Sequence, residues 1–349
     1  PKKPTVGKPG APKRVTAAAG NARVRITWQP APANGAAITK YVVEGAGRRY
    51  EVGANQRSLE ITGLTNGETY RFSVHAVNAK GAGPARLSNP VVPTAEVPDP
   101  PASVTAEARP DGTVVVTWPA ANGQGRKITR YVVTAVSAGA TAQVGESTQT
   151  RLVVPAGALK YGTQYAFSVV AINDRGAGSK SSPVSNSVVP YTRPGSPTAL
   201  TARTVATEAG TISLSWAAAA DNGRPITKYV VEAAGRKLEV TGTQATLTGL
   251  GNGQDVTVKV YAVNEAGPGP AATDTARTVG LPQITVTGSS STLTSVTINF
   301  TVDTGGGQTI CAVSVNGGTP RSTNCSTATV TGLQTDTSYR LVVIAENPA

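Results

Sequence analysis

Methionine is absent from the 349 residues, histidine occurs once, cysteine twice, and Phe, Trp and Tyr make up only 5% of the chain. Each scarcity removes a class of function. His75 is the sole imidazole and alternates with apolar Val74 and Ala76, so it is expected on the outer face of a strand; a Ser-His-Asp triad has no other His to use. Two cysteines with no nearby His make no zinc site. The 20 acidic residues are scattered and recur nowhere as a pair, so carboxylate-driven hydrolysis has no couple. No apolar stretch approaches the roughly 20 residues that span a bilayer as a helix. No basic-then-apolar signal segment opens the chain, which starts Pro1-Lys2-Lys3-Pro4. A chain without Met is expected to be a processed product or an excised piece, so the missing signal segment says nothing about secretion. The sequence thus offers no catalytic, cofactor-binding or metal-binding residue.

What is present is glycine (38), proline (25) and a basic excess of +12. The excess sits at the N-terminal end: residues 1–96 hold 14 Lys/Arg against 5 Asp/Glu, while residues 281–349 hold 2 against 3. Part of it belongs to a leader carrying Lys2, Lys3, Lys8, Lys13 and Arg14, with residues 1–10 read as a basic Pro-rich linker. Such a leader keeps the chain soluble; the alternative is attraction to an anionic surface. Nucleic acid is not the expected partner, because too few aromatics remain outside the cores to form a stacking platform.

Self-similarity is the dominant signal. Ile26-Thr27-Trp28 with Tyr41-Val42-Val43 recurs as Val116-Thr117-Trp118 with Tyr131-Val132-Val133 and as Leu214-Ser215-Trp216 with Tyr229-Val230-Val231, and the Trp-to-Tyr interval is 13 residues each time. Turn-forming Asn34-Gly35, Asn122-Gly123 and Asn222-Gly223 lie between them. A second block places Leu64, Leu159 and Leu250 six residues before Tyr70, Tyr165 and Val256, then alternates with period two to Asn78, Asn173 and Asn264. A divergent fourth copy puts Phe300 at the Trp position, Val313 at the Tyr position, and Leu333 six before Tyr339. Trp-equivalents are 90, 98 and 84 residues apart, and the position of His75 holds Val170, Tyr261 and Ile344 in the other copies. Short strands at about ten-residue spacing without helical periodicity predict an all-β antiparallel sandwich for each copy.

Trp in the second strand, Tyr in the third, and Leu-then-Tyr before a Tyr-x-Phe-x-Val-x-Ala-Val-Asn strand resemble the fibronectin type III family over residues 11–349. The resemblance implies four tandem Ig-like sandwiches: repeat 1 over 11–96, repeat 2 over 97–192, repeat 3 over 193–280, and an incomplete repeat 4 over 281–349 that lacks its last strand. That strand is expected either beyond Ala349 or from elsewhere. It implies core roles for Trp28, Tyr41, Trp118, Tyr131, Trp216, Tyr229 and Phe300, and tyrosine corners at Tyr70, Tyr165 and Tyr339, a tether that Val256 gives up. In that topology Cys311 and Cys325 fall at one end of the sandwich. A disulfide between them is expected rather than two free thiols, pointing to an oxidising compartment.

Arg175-Gly176-Ala177-Gly178-Ser179-Lys180-Ser181 lacks the spacing of a phosphate loop and reads as a hairpin loop. Asn299-Phe300-Thr301 and Asn324-Cys325-Ser326 are weak glycosylation matches, and no Arg-Gly-Asp occurs. The Ala-, Gly-, Thr- and Val-rich repeats look like those of surface and secreted proteins of high-GC Gram-positive bacteria. Short Pro-rich joints at Val97–Pro101, Arg193–Pro197 and Gly280–Pro282 are expected to be semi-rigid, so four modules in line would reach on the order of 120 Å. The expected function is a non-catalytic extracellular or cell-surface spacer. The alternatives are an adhesion module binding cell-wall polymer, polysaccharide or another surface protein, and an accessory region of a secreted glycoside hydrolase.

Overall fold

A computed structural model describes residues 5–349; Pro1–Pro4, with Lys2 and Lys3 of the leader, lie outside the described residues. Every regular element among the described residues is a strand, and all pairing is antiparallel. The chain divides into two compact units, one ending at Pro190 and the other starting at Tyr191. Each contains two sandwiches.

In the first unit, repeat 1 pairs Lys13–Gly20, Arg23–Gln29 and Ser58–Ile61 in one sheet. The facing sheet orders Arg48–Gly53, Ile38–Gly45 and Ser73–Asn78, with Gly81–Ala82 and Arg86–Leu87 on the outer edge. Period-two alternation decides which side faces in: Val24, Ile26 and Trp28 are buried, while Arg23, Arg25 and Gln29, which alternate with them, face water. Repeat 2 has the same plan, with Thr105–Ala108, Val114–Thr117 and Arg151–Val154 against Ala140–Ser147, Ile128–Ser137 and Ala166–Asn173. Its outer edge carries no continuous strand. Ser179, Ser182 and Ser185 instead donate their N–H groups to the carbonyls of Ala171, Val169 and Phe167. Their hydroxyls accept the N–H groups of the same three residues at 3.0, 2.8 and 2.9 Å. A serine every third residue thereby satisfies an edge that Pro183 keeps out of a regular ladder.

In the second unit, repeat 3 sets Thr198–Thr204, Ile212–Ala217 and Gln244–Leu247 against Arg236–Val240, Lys228–Ala233 and Asp255–Asn264, with Ala272–Arg277 closing the edge. Repeat 4 sets Gln283–Ser291, Val296–Asp303 and Thr327–Val330 against Arg321–Thr323, Ile310–Val315 and Leu341–Glu346. Among the described residues, Leu341–Glu346 pairs with Ile310–Val315 and with no seventh strand. Its inward residues Leu341, Val343 and Ala345 are only half-buried, whereas Phe72, Val74 and Ala76 of repeat 1 are fully buried.

Two expectations need correction. In repeat 2 the left-handed turn pair is Gln124 (φ 53°) and Gly125 (φ 91°), not Asn122-Gly123. Gln124-Gly125 lies at the same distance from Trp118 as Asn34-Gly35 does from Trp28. Asn122 instead caps the turn by accepting the Gln124 N–H at 2.8 Å. The leader also ceases to be a free linker well before Arg14. Gly7 N–H donates to the Asn34 carbonyl and Gly10 N–H to that of Pro32, and Lys13 already belongs to a strand.

Candidate functional site

The segments that connect the repeats are held by side-chain and backbone hydrogen bonds, first of all from asparagine. Each repeat's long inner strand ends on or just before an Asn: Asn78, Asn173, Asn264 and Asn347. The side-chain Oδ1 accepts a backbone N–H two residues on (Lys80, Arg175, Ala266 and Ala349, at 2.8–3.0 Å), which starts the following turn. The Nδ2 group reaches back to the chain segment arriving at the same repeat. It donates to Gly7 O at 2.9 Å, Glu96 O at 2.9 Å, Thr192 O at 2.8 Å and Gly280 O at 2.7 Å. An uncharged amide supplies an acceptor and two donors at once, whereas an ionised Asp only accepts and a Ser hydroxyl has a single donor on a shorter arm.

The departing segment is held as well. The turn glycines Gly67, Gly162 and Gly253 donate their N–H groups to the carbonyls of Pro93, Pro190 and Val279. Between repeats 1 and 2, Ala95 N–H further donates to Gln124 O and Asp99 N–H to Asn122 O. Between repeats 3 and 4 the pinned carbonyls of Val279 and Gly280 are consecutive.

The sequence-predicted residues fall into the sandwiches as follows. Trp28, Trp118 and Trp216 are buried beside Tyr41, Tyr131 and Tyr229, with ring centroids 5.7, 5.4 and 5.5 Å apart. Each of these tyrosine hydroxyls accepts the N–H of the third residue after the Trp: Ala31, Ala121 and Ala219. The three indole N–H groups are buried without a partner. Phe300 and Val313 occupy the corresponding core of repeat 4. Tyr70, Tyr165 and Tyr339, expected as tyrosine corners at the edge of the core, are half-buried, and each hydroxyl accepts the N–H of the residue five before it, Thr65, Lys160 or Gln334, at 2.8–3.0 Å. Arg48 and Arg236 grip the neighbouring loop in repeats 1 and 3. Arg48 donates to Thr62 O and Gly63 O, and Arg236 to Thr248 O and Gly249 O. Cys311 and Cys325 are joined in a disulfide.

His75 is half-buried on the outer face of its sheet, between inward Val74 and Ala76. At the same place in repeat 3, Tyr261 donates to Glu232 at 3.0 Å. That bond holds the Glu232 carboxyl below its ordinary range, while burial and then Glu232 push the Tyr261 phenol up. Among the described residues no three His, Cys, Asp or Glu side chains gather where a metal would sit. No helix among the described residues is long and apolar enough to cross a membrane. Asn324 folds onto its own loop, accepting the N–H groups of Ser326 and Thr327. A concavity of ≈ 600 Å³ lies on repeat 4, lined by Ile310, Ala312, Pro320, Asn324, Ile344 and Glu346 among others. The basic excess of repeat 1 is partly matched on its surface: Glu51 takes Lys40 and Arg49, whose hydrogen bonds hold its carboxyl low, and Glu60 takes Arg23 and Arg25.

The family model of the fibronectin type III domain matches residues 10–94, 99–187 and 195–278. The chain belongs to the fibronectin type III family. Repeat 4 lies outside the matched ranges, in keeping with its lost Trp and open edge. Rat neogenin is 27% identical over 286 residues, covering 75% of this chain and 20% of neogenin. Chitinase A1 of Niallia circulans is 30% identical over 161 residues, 42% of this chain and 23% of the chitinase. The chain therefore spans about a fifth of the length of these curated relatives. The solved chicken CNTN1 FN1-FN3 domains match 78% of this chain and 99% of that one at 21% identity, with a TM-score of 0.37.

Sequence reasoning placed the aromatic residues but missed the Asn contacts. Its signal was on the page as a recurring strand-end Asn, yet the partner carbonyl lies 67 to 77 residues upstream, beyond any local pattern.

Proposed function

We propose that the chain is a non-catalytic extracellular or cell-surface spacer of tandem fibronectin type III modules, of the kind carried by bacterial surface and secreted proteins. What supports the reading is the hydrogen bonding of the connecting segments, whose carbonyls are held by a strand-end Asn on arrival and a turn Gly on departure. Connections in a flexible array would leave these groups to water. The disulfide supports an oxidising compartment. Small-angle scattering of the full chain tests the proposal: an extended particle is expected, on the order of the 120 Å that four modules in line would reach. A compact profile overturns it.

A second reading has a specific observation behind it. Similarity to a chitinase over 161 residues, together with the concavity on repeat 4, favours an accessory polysaccharide-binding region of a secreted glycoside hydrolase. Co-sedimentation of the full chain with insoluble chitin, cellulose and peptidoglycan separates the two. Saturable retention supports the accessory reading, and its absence supports the spacer.

A further inference from the structure

A loop glycine of the downstream module lies close against the connecting backbone at two joints, one in each compact unit. Between repeats 1 and 2, the turn Gly67 of the departing module faces the loop Gly125 of the next, with the Pro93 carbonyl held between them. Gly67 N–H donates to Pro93 O at 3.0 Å. A Cβ built on Gly125 would stand 2.5 Å from that oxygen, 2.8 Å from Thr94 Cγ2 and 3.1 Å from Gly67 N. Between repeats 3 and 4, Gly253 takes the place of Gly67, while Gly305 stands where Gln124 does, its carbonyl accepting the Gly280 N–H as that of Gln124 accepts the Ala95 N–H. Gly253 N–H donates to Val279 O and Gly280 N–H to Gly305 O, both at 2.9 Å. A Cβ on Gly305 would stand 2.3 Å from Gly280 O and 2.7 Å from Gly280 C. Real Cβ atoms do not approach backbone this closely, and backbone cannot swing aside as a side chain does.

Positive φ alone does not explain these glycines. Gly67 has φ 88° and Gly125 has φ 91°, yet a Cβ on Gly67 would meet nothing nearer than Gly125 N at 3.6 Å, an ordinary contact. Gly157 (φ 83°) and Gly332 (φ 70°) have open space where their Cβ would be. The severe approach therefore belongs to the glycine on the downstream module's loop; a Cβ on Gly253 would stand 3.3 Å from Gly280 Cα, tight but well short of the 2.3 Å met at Gly305.

We propose that Gly125 and Gly305 are joint residues: by lacking a Cβ they let the connecting segment lie flat between two modules, fixing repeat 2 on repeat 1 and repeat 4 on repeat 3 in a single orientation. The inference rests on the spacer reading and gives its stiffness a location. Linked modules otherwise reorient freely. Here the segment's carbonyl and amide groups are bonded to both neighbours, and that bonding requires the glycine gap.

Residual dipolar couplings on the full chain in a dilute aligning medium test this. In the unsubstituted protein, repeats 1 and 2 are expected to share one alignment tensor, and so are repeats 3 and 4. Gly125→Ala should split the first pair and Gly305→Ala the second, while couplings within each module still fit its own fold. Gly157→Ala and Gly332→Ala carry the same backbone strain away from the joints and should leave the tensors shared. Separate tensors in the unsubstituted chain overturn the proposal, and so does a shared tensor that survives Gly125→Ala and Gly305→Ala. If a substituted module fails to fold, the unsubstituted tensors still decide the matter. Shared tensors in a chain that also sediments with polysaccharide would overturn the spacer reading and leave the joint standing.

Discussion

Tyr229 and Trp216 form a single core unit: their rings lie 5.5 Å apart, and the Tyr229 hydroxyl accepts the N–H of Ala219, three residues beyond the Trp. The same unit is built from Trp28 with Tyr41 and from Trp118 with Tyr131. The 13-residue interval is thus a packing distance, with the phenol supplying a hydrogen bond to a loop that no strand reaches.

Truncation of that unit should separate its apolar and polar parts. Trp28→Ala should cost repeat 1 about 3–5 kcal/mol. Trp28→Phe should cost less, because the indole N–H has no partner to lose and repeat 4 already uses Phe300. Tyr41→Phe should cost about 1–3 kcal/mol by leaving the buried Ala31 N–H unpaired. Residue-resolved amide exchange in denaturant reads these losses for repeat 1 alone, which a global melt of a multi-module chain does not.

The tether on the first strand should be acid-sensitive in repeat 3 and not in repeats 1 and 2. In repeats 1 and 2 a side-chain amide on the outer edge segment accepts the N–H of the first strand: Asn89 from Ala17 and Asn186 from Ala106. In repeat 3 that acceptor is Asp274, taking Ala202 N–H at 2.8 Å, and this bond with the Thr275 N–H holds its carboxyl below the usual Asp value. A pKa depressed on folding contributes stability above the unfolded pKa and loses it as pH falls through the folded one. The protection of Ala202, its exchange relative to the intrinsic rate at each pH, should therefore fall in acid, and Asp274→Asn should abolish that dependence. An unchanged profile in Asp274→Asn would assign the sensitivity elsewhere.

The strand-end asparagines should matter beyond their own strands. Asn173→Ala strips a partner from the Glu96 carbonyl and from the Arg175 and Ala177 N–H groups, and should destabilise repeat 2 by about 1–3 kcal/mol. Faster exchange at Arg175 and Ala177 is the expected signature. Protection equal to the parent at both amides would mean the side chain is dispensable.

Loss of the Cys311–Cys325 bridge should weaken repeat 4 by roughly 3 kcal/mol through the loop it closes, and leave repeats 1–3 untouched. Denaturant melts of Cys311→Ser/Cys325→Ser against the parent, followed by amide exchange in each repeat, check this. A loss spread over all four repeats would contradict it.

Much of this was readable from residue order because it is periodic or local: the Trp–Tyr interval, the Leu-to-Tyr corner, and the alternation of Val24, Ile26 and Trp28. What escaped depends on pairs far apart in sequence. The Asn78 amide meets Gly7 only after the sheets close. Asn-Gly is a strong local turn signal and pointed to Asn122-Gly123, but the turn forms at Gln124-Gly125, at the same distance from Trp118 as Asn34-Gly35 from Trp28. The outer edge of repeat 2 gave no strand pattern because serine hydroxyls do the pairing.

Quenching of tryptophan fluorescence by acrylamide, on the full chain with and without soluble chitin or peptidoglycan fragments, addresses the core assignment most directly. If Trp28, Trp118 and Trp216 are the interiors of separate sandwiches, emission is blue-shifted, quenching is weak until denaturant is added, and glycan changes neither. Strong quenching of the native chain that added glycan suppresses would put those rings in an open binding cleft and contradict the account.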